Sequence, residues 1–256
     1  MSGIELSTAV ATVELIGLAH KQGWFDSLLT ALKTKHKVLV LGVSGAGKTN
    51  FIDSLTEAVP NAIDIMNRTE FVTKNRIIID KNPFVFIDTP GQIFHKSRRI
   101  TAIRELMKDE IAGVINVVSY GYHEARTGKQ GVFENGVVSE TFLEKQRQIE
   151  IEQLNEWTPL LGDRETTGWL ITAISKADLW WNRRETVREH YESGSYYEAL
   201  GSAKDLHPVV LEYCSVFRKF YNEGVMSGEF QDEDRVRAKA HLLKELLASV
   251  GKVKNG

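Results

Sequence analysis

Gly42-Val43-Ser44-Gly45-Ala46-Gly47-Lys48-Thr49 sets glycines, a lysine and a threonine in the pattern G-x-x-x-x-G-K-[ST]. This is chemistry for a chain of phosphates. Several backbone N–H groups must converge on the phosphate oxygens, and glycines permit the dihedrals and close approach that this requires. A helix beginning near Gly47 adds the positive end of its dipole. Lys48 reaches the outer phosphates, and the Thr49 hydroxyl can sit on Mg2+. Gly42 opens the turn, and Ser44, Gly45, Ala46, Gly47 and Asn50 complete the expected lining. A chance glycine turn would not explain the Lys-Thr pair.

Three further segments follow in order. Asp88-Thr89-Pro90-Gly91 closes an apolar run. An aspartate there can hold a magnesium-bound water, and Gly91 can turn its N–H toward a γ-phosphate. Alone, this segment also reads as a turn initiated by Asp and Pro. Ser175-Lys176-Ala177-Asp178 ends another apolar run. The Asp178 carboxylate can accept from N1–H and the 2-amino group of guanine, with the Lys176 stem over the base plane. Adenine would leave that buried charge unpaired, which discriminates strongly. Tyr213-Cys214-Ser215-Val216 ends a last run, and N–H groups of Cys214 and Ser215 can receive the guanine carbonyl.

These segments need strands to carry them and helices to cover the strands. Lys37 to Leu41, Arg76 to Asp80, Phe84 to Asp88, Val114 to Val118, Trp169 to Ile174 and Val209 to Cys214 read as six short strands. Lys81-Asn82-Pro83 is hairpin-length, so the second and third strands are expected to be antiparallel. Helices are expected from Lys48 to about Val59, Ile100 to Glu110, about Ser139 to Trp157 and about Asp232 to Ser249. The last carries Val236, Ala240, Leu243, Leu247 and Val250 as its apolar stripe. Gly121 to about Gly136 is polar and long, and reads as a surface insertion. Residues 1–35 read as a helical extension, expected to cover the sheet, dock a partner or dimerise. Strands separated by helices imply an α/β fold with a mostly parallel sheet covered on both faces.

With four motifs in order over about residues 37–220, the sequence resembles the translation-factor-related class of P-loop GTPases, which includes the Ras-like GTPases. The resemblance implies a three-layer G domain over 36–256, with an insertion around 121–140 and the C-terminal helix 232–249. The class uses Asn or Thr where Ser175 stands, so the tie from base to phosphate loop falls to a hydroxyl. Cys214-Ser215 replaces its Ser-Ala turn. The resemblance also implies a loop threonine that closes over Mg2+, Thr69 or alternatively Thr73, completing a metal set with Thr49 and Asp88. It makes Gln92, or in its stead His95, the residue that orients the attacking water, with Lys48 neutralising developing charge. Arg98, Arg99 and Arg104 are expected to solvate the helix that follows. Trp180 and Trp181, directly after Asp178, are expected to pack the helix that follows them, the alternative being to cover the nucleotide's edge. No internal arginine finger is assigned, so slow unassisted hydrolysis is expected, on the order of 10⁻⁴ to 10⁻² per second.

The expected activity is GTP hydrolysis to GDP and phosphate with Mg2+, acting as a switch with a protein partner or second copy at the switch regions or N-terminal helix. Two other readings are a module that holds GTP to assemble a complex and a P-loop ATPase or kinase. Lys plus Arg (32) nearly balances Asp plus Glu (34), which argues against bulk binding to nucleic acid or anionic membrane. The single cysteine excludes an intrachain disulfide, and no leader or 20-residue apolar span is read, so a cytoplasmic setting is expected.

Overall fold

The computed structural model describes residues 36–55, 73–79, 82–89, 100–101, 103–104, 111–124, 130–162, 168–223 and 229–253. The expected N-terminal helix, Thr69, Gly91, Gln92, His95, Arg98 and Arg99 lie outside them. Among the described residues six strands form one sheet, β1 (His36–Leu41), β2 (Thr73–Ile79), β3 (Asn82–Asp88), β4 (Gly113–Val118), β7 (Leu170–Ile174) and β8 (Val209–Glu212), and β5 (Phe133–Glu134) and β6 (Val137–Val138) pair apart from it. Their order across the sheet is β2-β3-β1-β4-β7-β8. Only β2 runs antiparallel, paired to β3 from Thr73 opposite Asp88 to Ile79 opposite Asn82. The expected six-stranded, mostly parallel sheet with one antiparallel strand is what forms.

β1 and β4 are central and their side chains are nearly all buried, which is why they read as continuous apolar runs without alternation. The pleat then sorts the residues. Leu39, Leu41, Val114 and Val118 face one layer, with Leu154, Trp157 and Trp180. Val38, Val40, Ile115 and Val117 face the other, with Phe51, Ile52, Leu242 and Leu246. Each such side chain contributes about 1.5–3 kcal/mol of burial. The helices that supply these partners are α1 (Lys48–Leu55), α2 (Glu140–Gly162), α3 (Ala177–Trp180), α4 (Arg184–Glu192), α5 (Ser195–Ala199) and α6 (Asp232–Val253). None among the described residues is long and apolar enough to cross a membrane.

Three expectations are corrected. α2 does not stop at Trp157 but continues through Pro159 to Gly162. Trp157 and Leu161 are buried in the core, and that packing offsets the roughly 3 kcal/mol that an internal proline costs a helix. On α6 the buried residues are Leu242, Leu246 and Ser249, while Val236 is 45% exposed. Leucines stand in adjacent pairs, 242–243 and 246–247, so the apolar face is wide, and docking on the sheet turns it one residue from the expected stripe. Finally, the segment after β4 is not a surface insertion throughout. Tyr122, His123 and Val132 are buried, and a small hairpin forms from β5 (Phe133–Glu134) and β6 (Val137–Val138). Gly121, at φ 84°, turns the chain back inward so closely that a Cβ would stand 2.5 Å from the Leu143 carbonyl oxygen.

Candidate functional site

The parallel register sets the first half of the site. β1 lies between β3 and β4, with Val40 opposite Asp88 and Leu41 opposite Asn116. The chain leaves β1 into Gly42, whose φ is 134° and whose missing Cβ would meet the Val117 carbonyl oxygen at 2.1 Å. At Gly45 (φ 82°) a Cβ would stand 3.1 Å from the Glu124 carbonyl oxygen and 3.2 Å from its nitrogen. The loop closes through Ala46 N–H to the Val43 carbonyl, 3.3 Å, and α1 starts at Lys48. Lys48 is buried, and its Nζ donates to the carbonyls of Gly42 (2.9 Å) and Val43 (3.1 Å). The loop thus curls round its own ammonium, the form that suits a polyphosphate.

Thr49 Oγ1 donates to Asp88 Oδ2 at 3.1 Å, across from α1 to the end of β3. Thr89 Oγ1 donates to the Val40 carbonyl at 3.0 Å and fixes that strand end. Asp53 lies one turn along α1 from Thr49. Its carboxyl is raised above its ordinary value, first by burial and then by the Asp88 charge. A hydroxyl and a carboxylate at this spacing are a hard, all-oxygen donor pair. They fit Mg2+, which takes few protein ligands and completes its shell with phosphates and water. Thr73 is the first residue of β2, paired with Asp88 across the antiparallel ladder. Arg104 is exposed, as a solvating residue should be.

The second half comes from the ends of β7 and β8. Ser175 Oγ donates to the Ala46 carbonyl in the phosphate loop at 2.5 Å. A serine therefore makes the tie for which the class uses an asparagine or threonine. The Ser175 carbonyl in turn accepts from Trp180 Nε1 at 2.8 Å, so Trp180 is a packed core residue. Trp181 carries the Arg184 guanidinium on its face and Phe230 at its edge. Lys176 is in the left-handed region at φ 57°. Its Nζ donates to the Tyr122 carbonyl and lies 5.7 Å from the Phe220 ring. Burial pushes Lys176 down to about 8, with Glu124 opposing.

Asp178 is 2% exposed. Cys214 Sγ donates to its Oδ1 at 3.2 Å, and the Arg218 N–H lies 3.4 Å from Oδ2. Burial raises the carboxyl, and these two donors partly oppose that. The Cys214 thiol is held well above its ordinary value by burial and by Asp178, which keeps it a donor. Ser215 follows, half-buried, and Asn50 is half-buried on the first turn of α1. The structure thus brings together Gly42 to Thr49, Asp88, Ser175 to Asp178 and Cys214.

Sequence reasoning missed a set of residues beneath and beside the site. Glu150, on α2, is fully buried under the turn that follows β4. Its Oε1 accepts from His123 Nε2 (2.6 Å) and Ser119 N–H (2.8 Å), and its Oε2 accepts from Tyr191 OH (2.6 Å). His123 Nδ1 is 3.1 Å from Gln146 Oε1, and Tyr191 OH accepts from Tyr120 N–H at 2.9 Å. Burial pushes the Glu150 carboxyl up, and His123, Tyr191 and the Ser119 amide more than reverse it, leaving it below its ordinary value. Glu124 takes Arg218 Nη2 at 3.0 Å and Tyr221 N–H at 2.9 Å. No local signal marks these residues, since each partner lies on another element.

Residues 37–155, just under half of the chain, match a family described as 50S ribosome-binding GTPase. No curated protein matches the sequence. Among solved structures, the Arl6 BBS3 small GTPase from Trypanosoma brucei with bound GppNp is similar at 14% identity and a TM-score of 0.45, covering 84% of this chain and 98% of its own. A dimerization-deficient mutant of Toc33 from Arabidopsis thaliana is similar at 16% identity and a TM-score of 0.46, covering 90% and 88%.

Proposed function

We propose, on the premise that the chain is a P-loop GTPase of the Ras-like class, that it binds GTP with Mg2+, hydrolyses it to GDP and phosphate, and acts as a nucleotide-dependent switch. The phosphates lie in the curl from Gly42 to Thr49, on its backbone N–H groups and the Lys48 ammonium. Thr49 and Asp88 would hold Mg2+, which when bound would neutralise charge at the outer phosphates. Asp178 accepts from N1–H and the 2-amino group of guanine, and the Cys214 and Ser215 amides take the carbonyl. Gln92, directly after Gly91, orients water in line with the γ-phosphate. Loss of that phosphate frees the segment around Thr69 and the chain after Asp88 to move.

The observation that carries this reading is the Ser175 hydroxyl bound to the Ala46 carbonyl. It joins a buried acceptor carboxylate three residues on to the phosphate loop, as a ligand with a polyphosphate tail and a donor-rich purine requires. Calorimetric titration with GTP and ATP tests it. GTP is expected to bind at least about a thousandfold tighter, because guanine brings two N–H donors to Asp178 and adenine brings none. Asp178→Asn is expected to move preference toward xanthosine triphosphate, since an amide can donate to the oxygen at C2. Equal affinity for GTP and ATP would overturn the guanine assignment. Single-turnover hydrolysis that is unchanged in Gln92→Leu would remove Gln92 from the chemistry.

A further inference from the structure

The carboxylate assigned to the base is covered. Asp178 is 2% exposed, and the Arg218 N–H, in the chain that follows β8, sits on its Oδ2. That bond is 3.4 Å long and weak. Two guanine N–H donors at the same carboxylate make shorter bonds to a charged acceptor. Guanine therefore displaces the amide readily once it arrives, but the stretch around Arg218 must first move aside.

The buried Phe220 ring and the Glu124 carboxylate hold that stretch down. Glu124 grips it at two points, with Oε2 on the Arg218 guanidinium and Oε1 on the Tyr221 N–H. Between those points the Phe220 ring packs edge-on to Tyr122 at 5.4 Å. Tyr221 and Asn222 are both left-handed, at φ 52° and 63°, a conformation that persists only where its surroundings enforce it. The Glu124 bond to the Tyr221 N–H is one part of what enforces it, beside the Phe220 packing and the Glu223 N–H donated to the Phe220 carbonyl at 3.0 Å. The backbone of Glu124 lies against Gly45 of the phosphate loop, so the same residue touches both halves of the site. The side chains of Glu124 and Arg218 are 19% and 32% exposed, within reach of the water that would replace their contact.

We propose that Glu124 is a positioning residue whose carboxylate latches the chain around Arg218 and Tyr221 over Asp178, and that this latch governs the entry and release of the nucleotide. The inference rests on the guanine reading of Asp178. A cover that must open for passage in either direction slows association and dissociation together, whereas a contact made only to the bound ligand slows dissociation alone.

Stopped-flow fluorescence with N-methylanthraniloyl-GDP on the full chain separates these cases. In Glu124→Gln and in Arg218→Ala, both rate constants are expected to rise about tenfold while Kd changes by less than about threefold. Arg218→Lys should recover part of the slow behaviour. Melting temperature is followed in parallel, and if Glu124→Gln fails to fold, Arg218→Ala, altered at a partly exposed side chain, carries the test. Unchanged rates, or faster dissociation with unchanged association, would overturn the latch while leaving guanine binding intact. A wild-type chain that binds no guanine nucleotide would overturn the guanine reading, and the latch with it.

Discussion

Between Gly42 and Thr49 the features that fit a polyphosphate lie within eight consecutive residues, whereas the opposite end of the site draws on 122–124, 175–178 and 213–221. The first region works through its backbone, with glycines giving the curl and Lys48 bound to loop carbonyls. The second works through side chains: a serine on the loop, a thiol on the carboxylate, a glutamate on an arginine and an amide. Backbone recognition suits a phosphate chain common to many ligands. A particular base needs individual donors and acceptors, and those come from strand ends that the parallel sheet brings to one edge.

The largest expected effect is at Gly42, where the phosphate end depends most on backbone. Gly42→Ala forces a Cβ to within 2.1 Å of the Val117 carbonyl oxygen at a φ of 134°. Strain and overpacking together should destabilise the fold by about 4 kcal/mol. Urea denaturation checks this, and a variant as stable as wild type would show that this loop does not depend on its close approach to β4.

Glu150→Gln comes next, because it strikes the buried anchor of the turn after β4. Replacing the buried carboxylate among its hydrogen-bond donors with an amide is expected to cost about 2–3 kcal/mol. The acid limb carries its own signature. The Glu150 carboxyl titrates lower in the folded chain than in the unfolded one, so its stabilising contribution is present above about pH 4.5 and is lost as pH falls through the folded value. Stability measured against pH should therefore fall less steeply below about pH 4.5 in Glu150→Gln than in wild type. Equal slopes would mean that Glu150 gains nothing from His123 and Tyr191.

Ser175→Ala gives the smallest effect and the sharpest probe of how the two ends are joined. It deletes the hydroxyl donated to the Ala46 carbonyl. The loss of about 1 kcal/mol should speed nucleotide release roughly fivefold with little change in melting temperature. Ser175→Thr retains a hydroxyl and should stay near wild type. A wild-type release rate in Ser175→Ala would mean that the two halves hold their ligand independently.

Much of this was legible in the sequence. The strand-turn-helix around Gly42 to Thr49 is local, so its periods and glycines announce it, and the apolar runs of β1, β4 and β7 follow from burial on both faces. The antiparallel pairing of β2 and β3 followed from the short gap between their apolar runs, although Asn82 and Pro83, read as turn, belong to β3 and pair with Ile79 and Ile78. Asp178 could be singled out because Lys176-x-Asp178 stands at a strand end after the phosphate loop and Asp88-x-x-Gly91, where alone it would read as a helix N-cap. Other features were not legible for reasons of the same kind. The docking face of α6 is decided by rotation about the helix axis, and paired leucines leave that rotation open. Pro159 signals a helix end locally, yet the pocket that takes Trp157 and Leu161 overrules it.

By itself the sequence determined the six strands of the sheet, the helices after β1 and before β7 and the phosphate-loop motif, because those depend on residues within a turn or two of each other, whereas α3, α4, α5 and the β5–β6 hairpin left no such local mark. Tertiary structure alone decided that Ser175 would meet Ala46, 129 residues away, that Cys214 would donate to Asp178, and that Glu150 would lie beneath the turn after β4. Such contacts depend on sheet order and helix docking, which are set by the burial of the whole apolar surface at once and leave no mark in the spacing of any single segment.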